Sequence, residues 1–168
     1  MKLKNNLVPD IMFDNIYDVT PELLKDIGIR GLVLDIDNTL VPYSEPIANR
    51  KLTEHLRKIE SSGIQITLVS NNNLERVKKF NDCFGYYAQH NAGKPSSRCV
   101  RGCITHMKLN REEVLFVGDQ IFTDCLSAHR AGVRCIIVKP IQPKENLFFN
   151  FKRTLEKPFI TIYKNKRR

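Results

Sequence analysis

The sequence predicts a three-layer α/β fold, a doubly wound parallel sheet sandwiched between helices. Two observations carry this expectation. From Gly31 onward short apolar runs alternate with segments of helical period, and the unusual polar residues fall where those runs end. Strand–helix alternation of this kind closes right-handed crossovers, which set parallel strands in one sheet with helices on its faces. In such sheets the polar site lies just beyond the carboxyl ends of the strands.

Leu32-Val33-Leu34-Asp35-Ile36 is the first strand, and its unbroken apolar character marks it as covered on both faces. Ala48 to Ser62 reads as a helix with Leu52, Leu56 and Ile59 on one side, ended by Gly63. Ile64 to Val69 is the next strand, and Leu74 to Cys83 the next helix. A weaker strand is expected near Tyr86-Tyr87-Ala88. A helix over Ser96 to Lys108 follows, with Lys94-Pro95 at its start. Val114 to Val117 is a strand, Thr123 to Ala131 a helix closed by Gly132, and Cys135 to Val138 the last strand.

At 168 residues the chain suits one domain over 1–168, with a core at 30–140, a leader at 1–29 and a basic segment at 144–168. A domain this long buries roughly 70% of the surface of its unfolded chain and needs no disulfide or structural metal. Five cysteines, an odd number set in apolar or helical stretches, read as free thiols in a reducing compartment. No apolar run approaches the roughly 20 residues that span a bilayer. The polar opening Met1-Lys2-Leu3-Lys4 does not resemble a signal peptide, and Asp10, Asp14 and Asp18 do not suit a transit sequence. The expected location is the cytoplasm or the inner face of a membrane. The net charge of +9 is concentrated late, since Lys144 to Arg168 holds eight basic and two acidic residues. Such a tail suits an anionic membrane surface or nucleic acid, and equally a solvated terminus.

Asp35 and Asp37 stand two apart at a strand end, so their carboxylates project to one side. Two adjacent carboxylates are costly to bury unless a cation or a shared proton compensates. Asp119, in Gly118-Asp119-Gln120-Ile121-Phe122-Thr123-Asp124, ends the fourth strand and could face that pair. Oxygens from these residues suit a hard ion such as magnesium. Asp124 also suits the favourable first turn of a helix. Ser70 and Asn71 close the second strand, where a hydroxyl serves equally as phosphate ligand or helix cap. Lys94 offers a point charge for a transferring phosphate, although a lysine taken alone is more often simply exposed.

Together these four pieces resemble the haloacid dehalogenase (HAD) superfamily of aspartate-nucleophile phosphatases, with Asp35-x-Asp37-x-Thr39, Ser70, Lys94 and Gly118-Asp119-x-x-x-x-Asp124 in the family's order. The resemblance implies a Rossmann-like core, with Asp35 as nucleophile and Asp37 as acid and then base. It implies magnesium held by Asp35, the Asp37 carbonyl and Asp119, supported by Asp124. Ser70, Asn71 and Lys94 would grip the phosphate, with Thr39 steadying the loop beside it. The 35 residues from Asp35 to Ser70 and the 24 from Ser70 to Lys94 leave no room for a cap domain. An open site suits a large phosphorylated substrate.

The capless layout, the motif wording and the leader segments Val8-Pro9-Asp10 and Ile16-Tyr17-Asp18-Val19 are similar to the class IIIA branch of phosphatidylglycerophosphate phosphatases. That branch implies a lipid headgroup as substrate. Leu147, Phe151 and Leu155, with Phe148, Lys152 and Arg153, would give a C-terminal helix an apolar face with basic flanks, for a membrane surface or for packing on the sheet. Cys99 and Cys103 lack an evident partner pair, so zinc is not expected. The competing readings are a phosphatase for phosphoproteins, nucleic-acid ends or soluble phosphomonoesters, a receiver-like phospho-acceptor domain, and a non-catalytic module binding RNA or protein through the tail. The full motif set weighs against the last, and nucleic acid is not the expected partner.

Overall fold

The computed structural model describes residues 6–142 and 147–166, and side chains in the last helix from Thr154 to Asn165. Six strands form one wholly parallel sheet: β1 (Ile11–Phe13), β2 (Gly31–Leu34), β3 (Gln65–Val69), β4 (Tyr87–Gln89), β5 (Val114–Gly118) and β6 (Arg134–Val138). Their spatial order is β1-β6-β5-β2-β3-β4. The chain leaves β2 toward β3 and β4, then returns to lay β5 on the other side of β2. The topological switch point therefore lies between β2 and β5, whose register pairs Leu34 with Val117.

Alternating side chains send each strand into two cores. Leu32 and Leu34 join Leu68, Leu115 and Val117 beneath α1 (Pro21–Asp26), α2 (Arg50–Ser61) and α3 (Leu74–Asn81). Val33 and Phe116 face the other way, with Val69 and Cys135, onto α4 (Arg98–Met107) and α5 (Leu126–Ala131). Leu52, Leu56 and Ile59 bury the α2 face that the sequence pattern marks, each contributing roughly 1.5–3 kcal/mol. This is the expected three-layer, doubly wound α/β sandwich. Between Asp35 and Ser70 lie only a connecting segment, α2 and β3, and between Ser70 and Lys94 only α3 and β4, so no cap domain is inserted.

Boundaries move by a few residues where a side chain intervenes. The helix expected from Ala48 starts at Arg50 because the Asn49 Oδ1 accepts the Leu52 N–H. The helix expected to reach Cys83 ends at Asn81, whose amide bonds the Tyr86 N–H and carbonyl at 3.0 and 2.7 Å. The segment expected as helix from Thr123 opens instead as a π-helical turn, Ile121–Cys125, before α5.

The N-terminal apolar stretch, left between packing and membrane contact, packs. Ile11, Met12 and Phe13 pair with Ile136, Ile137 and Val138 as an edge strand. The last helix, α6 (Leu147–Lys166), crosses to this edge, and the Tyr163 hydroxyl accepts the Met12 N–H at 3.0 Å. The apolar-basic face expected from Leu147, Phe148, Phe151, Lys152 and Arg153 lies outside the described side chains, as does the tail beyond Lys166. No described helix is long and apolar enough to cross a membrane.

His129 on α5 ties this N-terminal segment down. Its Nδ1 bonds the Asn6 carbonyl at 2.8 Å and its Nε2 the Asp10 carboxylate at 2.9 Å. Both neighbours only accept, so both ring nitrogens donate and the imidazole is a cation. Burial opposes that charge, but the Asp10 bond and the Cys125 thiol outweigh it and push His129 up to about 10. A raised histidine contributes stability in full below its ordinary value of about 6.5 and loses it as pH rises to about 10. Melting curves of the wild type and Asp10→Asn should therefore differ by about 2–4 °C at pH 6.5, the effect of about 1 kcal/mol in a chain this size. The gap should close by pH 10, and a pH-independent gap would refute the tether.

Candidate active site

Every expected site residue sits at or near the carboxyl ends of β2, β3, β4 and β5. Asp35 follows β2, and its N–H extends the ladder to the Val117 carbonyl at 2.9 Å. Its carboxylate is buried. Oδ1 accepts the Lys94 ammonium at 2.5 Å and Oδ2 the Thr39 hydroxyl at 3.2 Å. Lys94, equally buried, also reaches Asp124 Oδ1 at 2.7 Å. Burial alone would lower the lysine, but Asp124 and Asp35 reverse this and hold it above its usual value. Burial pushes Asp35 up to about 8, aided by Asp124 and Asp119 against the Lys94 charge.

The loop after β5 supplies the other acids. Asp124 Oδ2 folds back to accept the N–H groups of Asp119 and Gln120 at 3.1 and 3.0 Å. This approach needs Gly118, because a Cβ there would stand 2.5 Å from that oxygen. Asp35, Asp119 and Asp124 bring carboxylate oxygens within 4.8 Å of one another, all buried. One ammonium among three buried carboxylates leaves an excess of negative charge, which suits a hard divalent cation with oxygen ligands. These residues fit magnesium. The Asp37 carboxylate is not among the three that converge.

Asn71, expected at the phosphate, is bonded to the backbone of Lys94. Its Oδ1 accepts the Lys94 N–H at 2.7 Å and its Nδ2 donates to the Lys94 carbonyl at 3.2 Å, so its amide holds the lysine backbone. The Ser70 hydroxyl accepts the Asn72 N–H at 3.0 Å and lies 3.5 Å from Asp37 Oδ2. Thr39 acts on Asp35 directly. Ser70 thus closes its own turn next to Asp37 and does not cap the helix, a place taken by Asn73.

Two neighbours escape sequence reasoning. Arg76 Nη2 donates to Asp37 Oδ1 at 2.8 Å. Buried Glu156, on α6, accepts the Ile121 N–H at 2.9 Å and the Phe122 N–H at 3.4 Å. Those donors open the π-helical turn that carries Asp124, and Phe122 meets Phe159 edge-on at 5.8 Å. For Glu156 the sequence holds no local signal, since its partners lie 34 and 35 positions away. For Arg76 there is one. It stands in the first turn of α3, where a cation opposes the helix dipole and needs a reason to be.

An aspartate, a buried lysine and two further acids at the switch point of a capless parallel sheet define a HAD-type phosphatase, a phosphoric monoester hydrolase. Solved structures agree on the fold. A HAD-superfamily hydrolase from Ehrlichia chaffeensis superposes with a TM-score of 0.54 at 18% identity, over 79% of this chain and 98% of that one. CbbY from Rhodobacter sphaeroides, in complex with phosphate, gives 0.55 at 13% identity over 71% and 90%. The family model described as mitochondrial PGP phosphatase matches residues 1–142, and the chain belongs to that family. It is similar to the probable phosphatase YqeG of Bacillus subtilis, 35% identical over 98% of this chain and 95% of that protein. It is also similar to phosphatidylglycerophosphate phosphatase 1, chloroplastic/mitochondrial, of Arabidopsis thaliana, at 24% identity over 88% of this chain but only 45% of that longer protein.

Magnesium should raise the melting temperature of the wild type, by about 2.7 kcal/mol of stability at a hundredfold excess over its dissociation constant. Asp119→Asn should lose most of that shift, and an unchanged shift would place the ion elsewhere. Calorimetry of Glu156→Ala should show a loss of about 1–3 kcal/mol, the cost of stranding buried N–H groups. Glu156→Gln should keep part of it through its amide oxygen, and equal losses would count against the hydrogen bonds.

Proposed function

We propose that this chain is a magnesium-dependent phosphomonoester hydrolase that forms an aspartyl-phosphate on Asp35, and that its substrate is phosphatidylglycerophosphate. The observation that carries the chemistry is the buried Lys94 ammonium bonded to the Asp35 carboxylate at 2.5 Å. An anionic nucleophile and an anionic phosphate repel, and the lysine offsets that repulsion where water is scarce. When bound, magnesium supplies further charge neutralisation at the same point. Asp35 attacks phosphorus as Asp37 protonates the departing alkoxide. Asp37 then takes a proton from the water that attacks the aspartyl-phosphate, which releases phosphate and frees Asp35. Thr39 holds the Asp35 carboxylate while Lys94, fixed by Asn71, stays charged.

The lipid assignment rests on the family, on the missing cap and on the rim of the site. Five large apolar side chains are exposed among the described residues: Tyr43, Ile47, Leu74, Ile141 and Leu155. Four of them lie on segments that adjoin site residues. Tyr43 and Ile47 lie on the segment after Thr39, Leu74 opens α3, and the Ile141 N–H bonds the Asn38 carbonyl at 3.1 Å. An apolar rim around a polar centre suits a headgroup lifted only slightly from a bilayer. The basic tail would favour the same anionic surface at the inner membrane face.

Phosphate release from phosphatidylglycerophosphate in vesicles, set beside a phosphopeptide, a nucleic-acid 3′-phosphate and p-nitrophenyl phosphate, tests this reading. The lipid should be preferred and Asp35→Asn should abolish turnover of all four; activity in that variant would rule out the mechanism. A triple change, Tyr43→Ser, Ile47→Ser and Leu74→Ser, should raise the apparent KM for the vesicle substrate about tenfold or more, as losing roughly 1.4 kcal/mol would. The same variant should treat p-nitrophenyl phosphate as the wild type does, and equal treatment of vesicles would remove the rim from the argument.

A further inference from the structure

We propose that Arg76 is the positioning residue of the acid/base carboxylate, fixing Asp37 and the segment over the site in one arrangement; this rests on the catalytic reading above. Asp37 receives three side-chain donors. Arg76 Nη2 is the nearest, 2.8 Å from Oδ1, while Asn72 Nδ2 and Ser70 Oγ lie 3.3 and 3.5 Å from Oδ2. The same Arg76 nitrogen donates to the Glu45 carbonyl at 2.9 Å. One atom therefore joins α3, the acid/base and the segment that follows Thr39.

The position of Arg76 is itself well determined. Its backbone N–H bonds the Asn73 side chain that caps α3, at 2.9 Å. Both charged side chains are only 13% exposed, and Arg76 Nε and Nη1 are buried without hydrogen-bond partners. The Glu45 carbonyl and Asp37 thus carry the whole burden of compensating this cation. Charge-assisted bonds of this length are strong and directional. An acid that must protonate a leaving oxygen and later take a proton from water gains from being held in place for both events. Ser70 and Asn72 approach the opposite oxygen, Oδ2, which leaves Arg76 as the only described donor on Oδ1.

The test is a double-mutant cycle read on two leaving groups. Arg76→Ala should lower kcat on an alkyl phosphate about a hundredfold, the usual worth of general acid–base catalysis, with KM changed less than threefold. Pre-steady-state release of p-nitrophenolate, which needs no protonation, should remain within about threefold of wild type. In the Asp37→Asn background Arg76→Ala should cost almost nothing further, because a residue that acts through another has nothing left to position. Arg76→Lys should recover part of the loss on the alkyl phosphate, and Arg76→Gln replaces Arg76→Ala if the latter does not fold. Additive losses, equal losses on both leaving groups, or a change confined to KM would overturn the assignment of Arg76. Absence of turnover by the wild type on every phosphomonoester would instead overturn the catalytic reading.

Discussion

The site is organised around a lysine that the fold has no other reason to bury. An ammonium taken out of water loses several kcal/mol of hydration, and Lys94 recovers it only because Asp35 and Asp124 stand 2.5 and 2.7 Å away. The three groups come from β2, from the loop after β4 and from the π-helical turn after β5. None of these segments can shift alone without stranding a buried charge. The electrostatic requirement thus ties together three segments that follow three different strands. Even so, the cluster remains short of positive charge, and that deficit makes it receptive to a cation.

The supports around the cluster follow the same logic. Asn71 pins the backbone of Lys94 with two hydrogen bonds, so the lysine is aimed by its main chain as well as by its partners. Gly118 removes a side chain so that Asp124 can turn back on its own loop. Glu156 arrives from the last helix to satisfy the N–H groups at the start of the π-helical turn, donors that a regular helix end leaves open. His129 and Asp10 fasten the N-terminal segment to α5, the helix that continues from that turn. The segment around Asp10 and the last helix therefore contact the turn that carries Asp124 or the helix that continues it.

This arrangement explains what the sequence could and could not disclose. Leu32–Leu34 and Val114–Val117 were legible because a strand covered on both faces has to be apolar throughout, and the acids at their ends stand out against that background. The spacing of Leu52, Leu56 and Ile59 was legible for the corresponding reason in a helix. Edge strand β1 is only three residues long and half-buried, so its pattern is too short to separate from a loop. The π-helical turn is set by Asp124 and Glu156 through hydrogen bonds, one of them from far along the chain, which no local propensity encodes. The tie between Asn71 and Lys94 was not legible either, because it joins residues 23 positions apart. Arg76 was the one missed neighbour with a local trace, a cation in the first turn of a helix.

A site without a cap has to exclude water by other means, and the arrangement of Asp37 bears directly on how. Its carboxylate is near the mouth, unlike Asp35, Asp119 and Asp124, which are sealed. The three buried carboxylates therefore stand in a medium of low dielectric, while Asp37 is partly exposed to solvent. In the proposed two-step hydrolysis that division would let one opening serve both steps. It also leaves the closing of the mouth to the substrate and to the apolar side chains around it. A small soluble ester would leave such a mouth wet. A phosphate presented from an apolar surface would cover Tyr43, Ile47 and Leu74 as it entered, and would strengthen every charge interaction beneath them. On the proposed lipid reading, the absence of a cap and the exposure of those side chains would be two aspects of one solution to excluding water.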